Sequence, residues 1–563
     1  MLSRNVDTTV KLVAQILRTH RKYNNVTGVR CFTTFKDTAI NYLEEMLKTR
    51  VCVKGTLPDA QKSAIQNSAV STSSGYTKYI MPLTDLEQIK KRKTLDALTD
   101  VIYKQHLYTL IHTINNIDAQ CCFLLDVMSY YDIFKLLLFF AKTVPAKITR
   151  MSFYNKAIEL LQEGISNKVF NNNEIVFCLY FFGLKKVNAA SEIRMIFKYL
   201  EFDKLLLYEK CIVAETTFKC RVKLLQTQIE DIEKLIESKA EVLVADTSLL
   251  VPLCKVLRYA GSTQNFLPNN LNKEIVNKRV QYQMIPAVHI LKMYADKYLA
   301  EPTVLQRLVT DIMARISLAN QEFNNRRGLY RSQIYEPKYL DRFLWSVCIL
   351  NHKLTDVQLL EIRTFIDSMQ FNLFNEPQRL LRIILSLWIL GYRAEFMIQE
   401  CIKKKTFLKA YNSKLWKFRT LLCLLFHVIQ IESPNIKLPM DLFPDIHVTL
   451  NIPKSVRTVS EIISGLAKKM KLQNVIINSP VAGIYIAGVS FDHPTLGSFH
   501  VDVLNDITCL QFQQIPHGLT NLKLRLLQQL GYQSILIVED DVKDILTAFV
   551  YIEKRLNEIM YAK

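Results

Sequence analysis

The sequence predicts a mostly helical protein, an α-solenoid of helix–turn–helix repeats followed by a small α/β domain. Gly and Pro contribute only 14 and 16 of the 563 residues, too few for a turn-rich β architecture. Apolar segments in the central region end at intervals near 40 residues, a spacing typical of helical repeats. After residue 434 the pattern changes to alternating strands and helices.

Composition and charge narrow the class of protein. The chain carries 72 Lys and Arg against 52 Asp and Glu, a net charge of +20. Such a basic chain favours a polyanionic partner, although a generally basic protein from a basic compartment is the alternative. No apolar run approaches the ~18–20 residues of a membrane span. The 12 cysteines include no CxxC pair, so the sequence indicates no disulfide framework, zinc site or cofactor.

Residues 1–32 read as a mitochondrial presequence. They contain six basic residues and one acid, Asp7, and the stretch from Val10 to Lys22 is amphipathic at helical period. The tract Arg30-Cys31-Phe32-Thr33-Thr34 is typical of a matrix-protease site. Cleavage after Phe32 leaves a net charge of +15, so the positive charge belongs to the mature protein. An ordinary basic helix is the alternative.

Residues 33–82 are predicted to be a linker because of their Gly, Pro and polar tracts, and residues 83–434 to be the helical repeats. The interval of 90 residues between two repeat ends does not fit, and Thr263 to Gln283 is interpreted there as an inserted loop. A non-repetitive helical domain is the alternative. The apolar segments that define the repeats are Ile133–Ala141, Ile175–Gly183, Leu249–Gly261, Leu340–Asn351, Leu380–Gly391 and Leu421–Gln430.

One basic stretch stands out in this region, because residues 401–431 contain no acid. Its cations can hold phosphates, and its aromatic rings can stack on unpaired bases. Burial in the core is the favoured reading for the rings, and phosphate contact for the cations. The cations are Lys403, Lys404, Lys405, Lys409, Lys414, Lys417 and Arg419, and the rings are Phe407, Tyr411, Trp416 and Phe418.

The region from 435 to 563 is predicted to be an α/β domain with its preceding segment. The helix at Thr520–Leu530 has Thr520 as its expected N-cap and Gly531 just beyond its end. The other predicted helices are Ser455–Met470 and Asp541–Met560, and the strands are Asn474–Asn478, Gly483–Phe491, Phe499–Leu504 and Ser534–Glu539.

Residues 520–532 carry a resemblance to a known module. The run TNLKLRLLQQLGY, followed by the strand SILIV, resembles the end of a RAP domain. Together with the helical repeats and the presequence, it makes the chain similar to the FAST-kinase-domain family of mitochondrial RNA-binding proteins. The resemblance implies a matrix protein that acts on single-stranded mitochondrial RNA through transcript stability, processing or ribosome assembly, with RNA-granule or ribosome-assembly proteins as further partners.

RAP domains resemble the PD-(D/E)xK nuclease fold, whose chemistry needs two carboxylates for Mg²⁺ and a nearby Lys. By this resemblance, Asp502 matches the second acid, while Leu504 stands at the Lys position and Tyr485 near the first acid. Asp492, seven residues further along, is a poor substitute. A lone carboxylate without a Lys cannot build the metal site, so we expect no strand cleavage, and no kinase motif is present either.

Two functions therefore remain open. The preferred one is a non-catalytic RNA-binding protein, and the alternative is an RNA endonuclease with a degenerate metal site at Asp502 and Asp492. A protein scaffold without RNA contact is a weaker third reading. Besides the basic stretch, the residues expected to hold RNA are Lys523, Arg525, Lys185, Lys186, Arg258, Lys353 and Arg393.

The targeting prediction is directly testable. Residues 1–40 fused to a fluorescent reporter should carry it into mitochondria, because a basic, acid-poor amphipathic helix is the import signal. Fluorescence microscopy against a mitochondrial marker measures the outcome, and a reporter that stays in the cytosol would refute the presequence.

Overall fold

Helices dominate the computed structural model, as the composition predicts. It describes residues 35–49, 128–260, 266–325, 336–412, 416–443, 450–543 and 545–561, with 115, 118, 119, 121–123 and 125. This part of the chain contains 21 α-helices and a single four-stranded sheet near the C-terminus. The mostly helical fold with a small C-terminal α/β region is thus confirmed. The predicted presequence lies outside the described residues.

The chain forms two compact units, residues 1–235 and 236–563, and the boundary falls within one helix. The second unit contains the sheet as well as helices of the predicted repeat region. The helices up to that boundary are α1 (Phe35–Thr49), α2 (Tyr130–Thr143), α3 (Ser152–Ser166), α4 (Asn172–Phe182), α5 (Ala190–Ile196), α6 (Leu207–Cys220) and α7 (Gln226–Ser238).

Helix α1 occupies part of the predicted linker. Its apolar side chains Ile40 and Leu43 are fully or almost fully buried, and the helix packs against α2 and α6. Tyr42 stacks on Tyr208 at 5.1 Å. The turn-forming residues of the segment begin only at Gly55, so residues 35–49 were free to form an amphipathic helix.

The helices of the second unit pack in two rows. We call α9, α11, α13 and α15 the first row, because each packs on the next, and α8, α10, α12 and α14 the second row for the same reason. Helix α18 extends the first row beyond α15. The bounds are α8 (Ala240–Ala245), α9 (Thr247–Ala260), α10 (Asn269–Asn277), α11 (Met284–Asp296), α12 (Pro302–Asn325), α13 (Pro337–Ile349), α14 (Asp356–Leu373), α15 (Pro377–Ile389), α16 (Glu395–Lys403), α17 (Thr406–Tyr411) and α18 (Trp416–Glu432).

The packing explains the irregular intervals of the sequence. The 90-residue interval contains α11, a first-row helix whose end has no Gly or Asn signal, and α12, which is 24 residues long. The segment interpreted as an inserted loop, Thr263 to Gln283, contains α10. That interpretation was wrong, because Leu271 and Ile275 bury an apolar stripe four residues apart among the many Asn and Lys.

Helices α13 and α15 repeat the same residues at an offset of 40, in the pattern Pro-x-x-Leu-x-Arg-x-x-x-Ser. The serine hydroxyls make the same hydrogen bond in both helices. Ser346 donates to the carbonyl of Arg342 and Ser386 to that of Arg382, each at 2.7 Å. Arg342 and Arg382 therefore occupy equivalent positions on neighbouring helices.

The sheet orders its strands β1-β2-β3-β4, with β3 and β4 parallel and the other pairs antiparallel. Helices α19 and α21 cover its apolar face, and α20 lies between β3 and β4 in the chain. The elements are α19 (Lys454–Met470), β1 (Gln473–Asn478), β2 (Gly488–His493), β3 (Gly497–Leu504), α20 (Gly518–Gln529), β4 (Gln533–Val538) and α21 (Ile545–Tyr561).

All the elements predicted for this region are present, with shifted bounds. Strand β2 begins at Gly488, five residues after its expected start. The N-cap of α20 is His517, whose Nδ1 accepts from the backbone of Leu519 and Thr520, so Thr520 is not the cap. Gly531 follows the helix with φ +86°, the left-handed conformation expected of it. Among the described helices, none has the length and apolarity to cross a bilayer.

Helix α20 approaches α13 so closely that only Gly fits at its start. A Cβ at Gly518 would lie 1.8 Å from the carbonyl oxygen of Cys348. Gly518→Ala should lower the free energy of unfolding by about 1–3 kcal/mol, because backbone must shift. Gly465→Ala in α19, where an added Cβ meets nothing, is the matched control and should be neutral or stabilising by up to about 1 kcal/mol. Chemical denaturation measures both; equal effects would contradict the close contact.

Candidate functional site

Helix α20 carries the motif that resembles a RAP domain, and its polar residues point to partners inside the protein. Thr520 donates from its hydroxyl to the carbonyl of Thr508 at 2.7 Å and is fully buried. Lys523 is also fully buried, whereas Arg525 is about one-third exposed. The motif therefore fixes the position of the helix.

The ammonium of Lys523 lies in a closed polar cluster against the sheet. It donates to Asp502 Oδ1 at 2.5 Å, to the carbonyl of Ile486 at 2.9 Å and to His500 Nε2 at 2.9 Å. His500 Nδ1 lies 2.8 Å from the Ser490 hydroxyl, which donates to Asn478. Because Lys523 has these three partners and no exposed surface, its ammonium is not available to RNA in this structure.

Burial and charge act in opposite directions in this cluster. Burial lowers the pKa of Lys523, and Asp502 only partly offsets it. Burial alone would raise the pKa of Asp502, but His500 and Lys523 lower it below its usual value. Burial also lowers the pKa of His500, so the imidazole is neutral at pH 7. Asp502 Oδ2 is buried and has no hydrogen-bond partner among the described residues.

The geometry does not bring the two candidate nuclease carboxylates together. Asp492 pairs with Ser498 in the sheet register, four residues from Asp502 along β3, or about 13 Å at 3.3 Å per residue. Hydrogen bonds from Asn474 and Ser498 lower the pKa of Asp492. Within the described ranges, no three His, Cys, Asp or Glu side chains converge as a metal site. Sequence reasoning missed one partner of Asp502. Lys523 on α20 supplies an ammonium, which the residue at the expected Lys position, Leu504, lacks.

Arg525 caps the C-terminal end of α15 and forms an ion pair with the last residue of α18. Its guanidinium donates to the carbonyls of Trp388 and Ile389 at the C-terminus of α15, at 2.9 and 3.3 Å. It also donates to Glu432 Oε1 at 2.7 Å, at the end of α18. A cation at a helix C-terminus is stabilised by the helix dipole and by the free carbonyls. Arg525 is thus committed to these helix ends.

The segment before α20 continues this contact toward α11. The backbone N–H of Gln511 donates to the carbonyl of Tyr298 at 2.9 Å, and the Tyr298 ring stacks on His517 at 5.0 Å. Gly518 of α20 contacts α13, and Arg525 of α20 contacts α15 and α18. Residues 511–525 therefore cover the C-terminal ends of four consecutive helices, α11, α13, α15 and α18. We call these residues the docking segment.

The predicted basic stretch is partly neutralised by one acid just outside it. Glu400 forms ion pairs with Lys403 at 3.0 Å and Lys404 at 3.6 Å. Lys405 and Lys409 are exposed. Arg419 packs over the Tyr411 ring at 5.7 Å. Lys414 and the Lys417 side chain lie outside the described residues.

The aromatic rings of the stretch divide between core and surface. Phe407 and Phe418 are buried, as the core reading predicts, at 1% and 8% exposure. Trp416 is 48% exposed and offers a ring face to solvent. Two exposed lysines and one exposed ring remain available to a ligand here.

The predicted turn cations have different surroundings. In the first unit, Lys186 is exposed and Lys185 packs over the Tyr154 ring at 5.6 Å. In the second unit, Lys353 is exposed beyond the end of α13. Arg393 lines a cleft of about 480 Å³ between α16 and the segment that follows α18. Arg258 is half-buried on α9 and belongs to a larger group.

That group crosses all four helices of the first row. Its members are half-buried or nearly buried, and each touches or electrostatically influences a neighbour on the next helix. We call it the basic strip. It consists of Arg258 on α9, Lys292 on α11, Lys338 and Arg342 on α13, and Arg379 and Arg382 on α15.

Carboxylates compensate the strip only in part. Asp341 is 1% exposed and forms a bidentate pair with Arg382, while Asp296 is shared by Arg258 and Lys292. Glu336 pairs with Lys338 and Glu376 with Arg379. These ion pairs leave Arg342 without any ion pair to a described residue. The strip therefore carries more positive than negative charge on a half-buried surface.

Sequence reasoning found only Arg258 of this strip. A signal for two others was present, since Arg342 and Arg382 recur at the 40-residue spacing within matching Pro, Leu and Ser positions. Lys292, Lys338 and Arg379 have no such signal, because only the packing of neighbouring helices brings them to one surface.

Comparison with known proteins identifies no family. No protein-family model matches the chain, and no curated protein is significantly similar to it.

The buried Lys523–Asp502 pair predicts a large loss of stability on truncation. Lys523→Met should lower the free energy of unfolding by about 3–5 kcal/mol, because it leaves an unpaired buried carboxylate. Adding Asp502→Leu to it should recover part of that loss. Lys468→Met, at an exposed position of α19, should change it by less than about 0.5 kcal/mol.

Chemical denaturation of the four proteins, wild type and three variants, provides the comparison. Equal stability of wild type and Lys523→Met would show that the ammonium is solvated instead of paired.

Proposed function

We propose that this chain is a non-catalytic RNA-binding protein of the mitochondrial matrix that acts on mitochondrial transcripts, through their stability, their processing or the mitochondrial ribosome. The basic strip is the observation that carries the proposal. Phosphates are the commonest polyanionic partner of clustered Arg and Lys, and their binding releases counterions.

The dimensions of the strip suit a nucleic-acid strand. Packed helices lie about 8–10 Å apart, so four neighbouring first-row helices extend over about 25–30 Å. That length accommodates several phosphates of one strand. The exposed ring of Trp416 supports single-stranded RNA, since unpaired bases stack on such rings for about 1–3 kcal/mol each.

The row packing also supports the finer description of the fold. In this proposal the two rows of helices are the helix–turn–helix repeats of an α-solenoid, and the matching residues of α13 and α15 are remnants of a 40-residue unit. The C-terminal region with α19–α21 and the sheet is the RAP-like domain. Its docking segment joins it to the row that carries the strip.

Localisation in the matrix follows from the amphipathic, basic residues 1–32 and the protease-like tract at Arg30. The first described helix begins at Phe35, so cleavage after Phe32 would leave it whole. RNA-granule or ribosome-assembly proteins are the further partners consistent with such a role.

Neutralising part of the strip tests the proposal. The triple variant Lys338→Gln, Arg342→Gln, Arg379→Gln should bind a single-stranded mitochondrial transcript about tenfold or more weakly. The slope of log affinity against log salt should become shallower by about 2, at about 0.7 per lost phosphate contact. None of these three residues pairs with a buried carboxylate, so the fold should persist.

The matched control removes three charges elsewhere in the same unit, by Lys273→Gln and Arg363→Gln in the second row and Arg279→Gln beyond α10. It should keep most of the affinity. Electrophoretic mobility shift and fluorescence anisotropy at several salt concentrations measure both variants. An equal loss of RNA affinity in the two triple variants would show that the strip contributes only non-specific charge. A wild-type protein that does not bind RNA at low salt would refute the proposed function.

The same RNA distinguishes the endonuclease alternative. Incubated with wild-type protein and Mg²⁺ or Mn²⁺, the transcript should stay intact. Cleavage that disappears in Asp502→Ala would establish the nuclease instead.

A further inference from the structure

Two arginines of the basic strip converge on one buried histidine. His289 on α11 is 4% exposed. Its Nδ1 lies 3.3 Å from the Nη1 of Arg258 on α9, and its Nε2 lies 3.5 Å from the Nη1 of Arg342 on α13. The Tyr339 ring closes the site edge-on, with centroids 6.3 Å apart. Three neighbouring helices thus meet at one imidazole.

The hydrogen bonds of this arrangement are incomplete. A neutral imidazole has one accepting nitrogen and one N–H, whereas a guanidinium only donates. One of the two arginines therefore faces an imidazole N–H with no acceptor between them. Protonation of His289 makes this worse, because both ring nitrogens would then donate. Among the described residues, none supplies an acceptor between that arginine and the imidazole N–H, and His289 is too buried for bulk water to supply one freely.

The charges around His289 also favour a bound anion. Arg342 has no ion pair with a described residue, and Arg258 shares Asp296 with Lys292. Lys255 and Lys338 add positive potential. Burial, followed by these cations, lowers the pKa of His289 well below its usual value, and burial and Arg258 lower that of Arg342. Like charges held together on a half-buried surface are costly unless an anion joins them.

We propose that Arg258, His289 and Arg342 form a binding site for one phosphate group of the RNA strand. A phosphate between the two guanidinium groups accepts from both arginines and from the imidazole N–H, which completes every hydrogen bond at the site. Arginine forks bind phosphate oxygens in pairs, whereas lysine acts as a point charge. The inference rests on the proposed function and locates it at three residues.

Arginine-to-lysine substitutions, which keep the positive charge, distinguish this site from non-specific electrostatic attraction of RNA. Arg342→Lys and Arg258→Lys should each weaken binding of the single-stranded transcript about tenfold, because the fork is lost while the strip keeps its charge. Arg279→Lys, at an exposed position outside the strip, should change affinity by less than about twofold. The effects of the two site variants should be less than multiplicative in the double variant, because both arginines hold one phosphate.

The assays are fluorescence anisotropy of the full chain with labelled RNA, with inorganic phosphate as competitor, and thermal unfolding to verify that each variant is folded. At equal ionic strength, inorganic phosphate should displace more RNA from the wild type than chloride does. This difference between the two anions should vanish in Arg342→Lys.

The outcomes separate the two claims. RNA affinity that is the same in wild type, Arg342→Lys and Arg258→Lys overturns the site and leaves the RNA-binding function standing. If either variant does not fold, His289→Gln provides the same readout. If the wild type binds inorganic phosphate through Arg342 but no RNA, the assignment to an RNA phosphate and the proposed function both fail.

Discussion

Positive charge that is half-buried and incompletely paired among the described residues is the constraint on which the proposed function of this protein depends. Each first-row helix packs on the next, and the packing brings arginines and lysines of four helices onto one surface. Asp296 and Asp341 form ion pairs with Arg258, Lys292 and Arg382. Arg342 has no carboxylate partner among the described residues, so the surface is favourable for an external anion.

The C-terminal region makes a separate set of contacts, with the ends of the row's helices. Its docking segment contacts the C-terminal ends of four successive helices, where carbonyls are free and the helix dipole is negative. Arg525 supplies the cation that these ends favour, and Lys523 anchors the same helix to the sheet through Asp502. The motif that suggested RNA contact thus acts inside the protein, and the charges that the proposal assigns to RNA lie on the row itself.

Much of the fold could be predicted from the sequence, because local patterns determine it. Apolar segments ended where the first-row helices α9, α13 and α15 end, and each strand of the sheet was found near its observed position. The helices that were missed had weak local signals: α1 belongs to a segment whose later Gly, Pro and polar residues predicted a linker, and the two apolar residues of α10 lie among many Asn and Lys.

The site was less predictable, because charge pairing is a property of three-dimensional neighbours. Glu400 lies one residue outside the acid-free stretch and still neutralises Lys403 and Lys404. Nothing in the spacing of Lys523 and Asp502 indicates that they meet across a helix and a strand. The strip needs residues from four helices, and only the recurrence of Arg342 and Arg382 at 40 residues was visible in one dimension.

The most direct test of the central claim is to map where RNA contacts the protein. Ultraviolet crosslinking of the full chain to a single-stranded transcript, followed by mass spectrometry of the crosslinked peptides, gives that map. The account predicts crosslinks in peptides of α9, α11, α13 and α15. Crosslinks confined to the sheet, or to helices outside the first row, would contradict it.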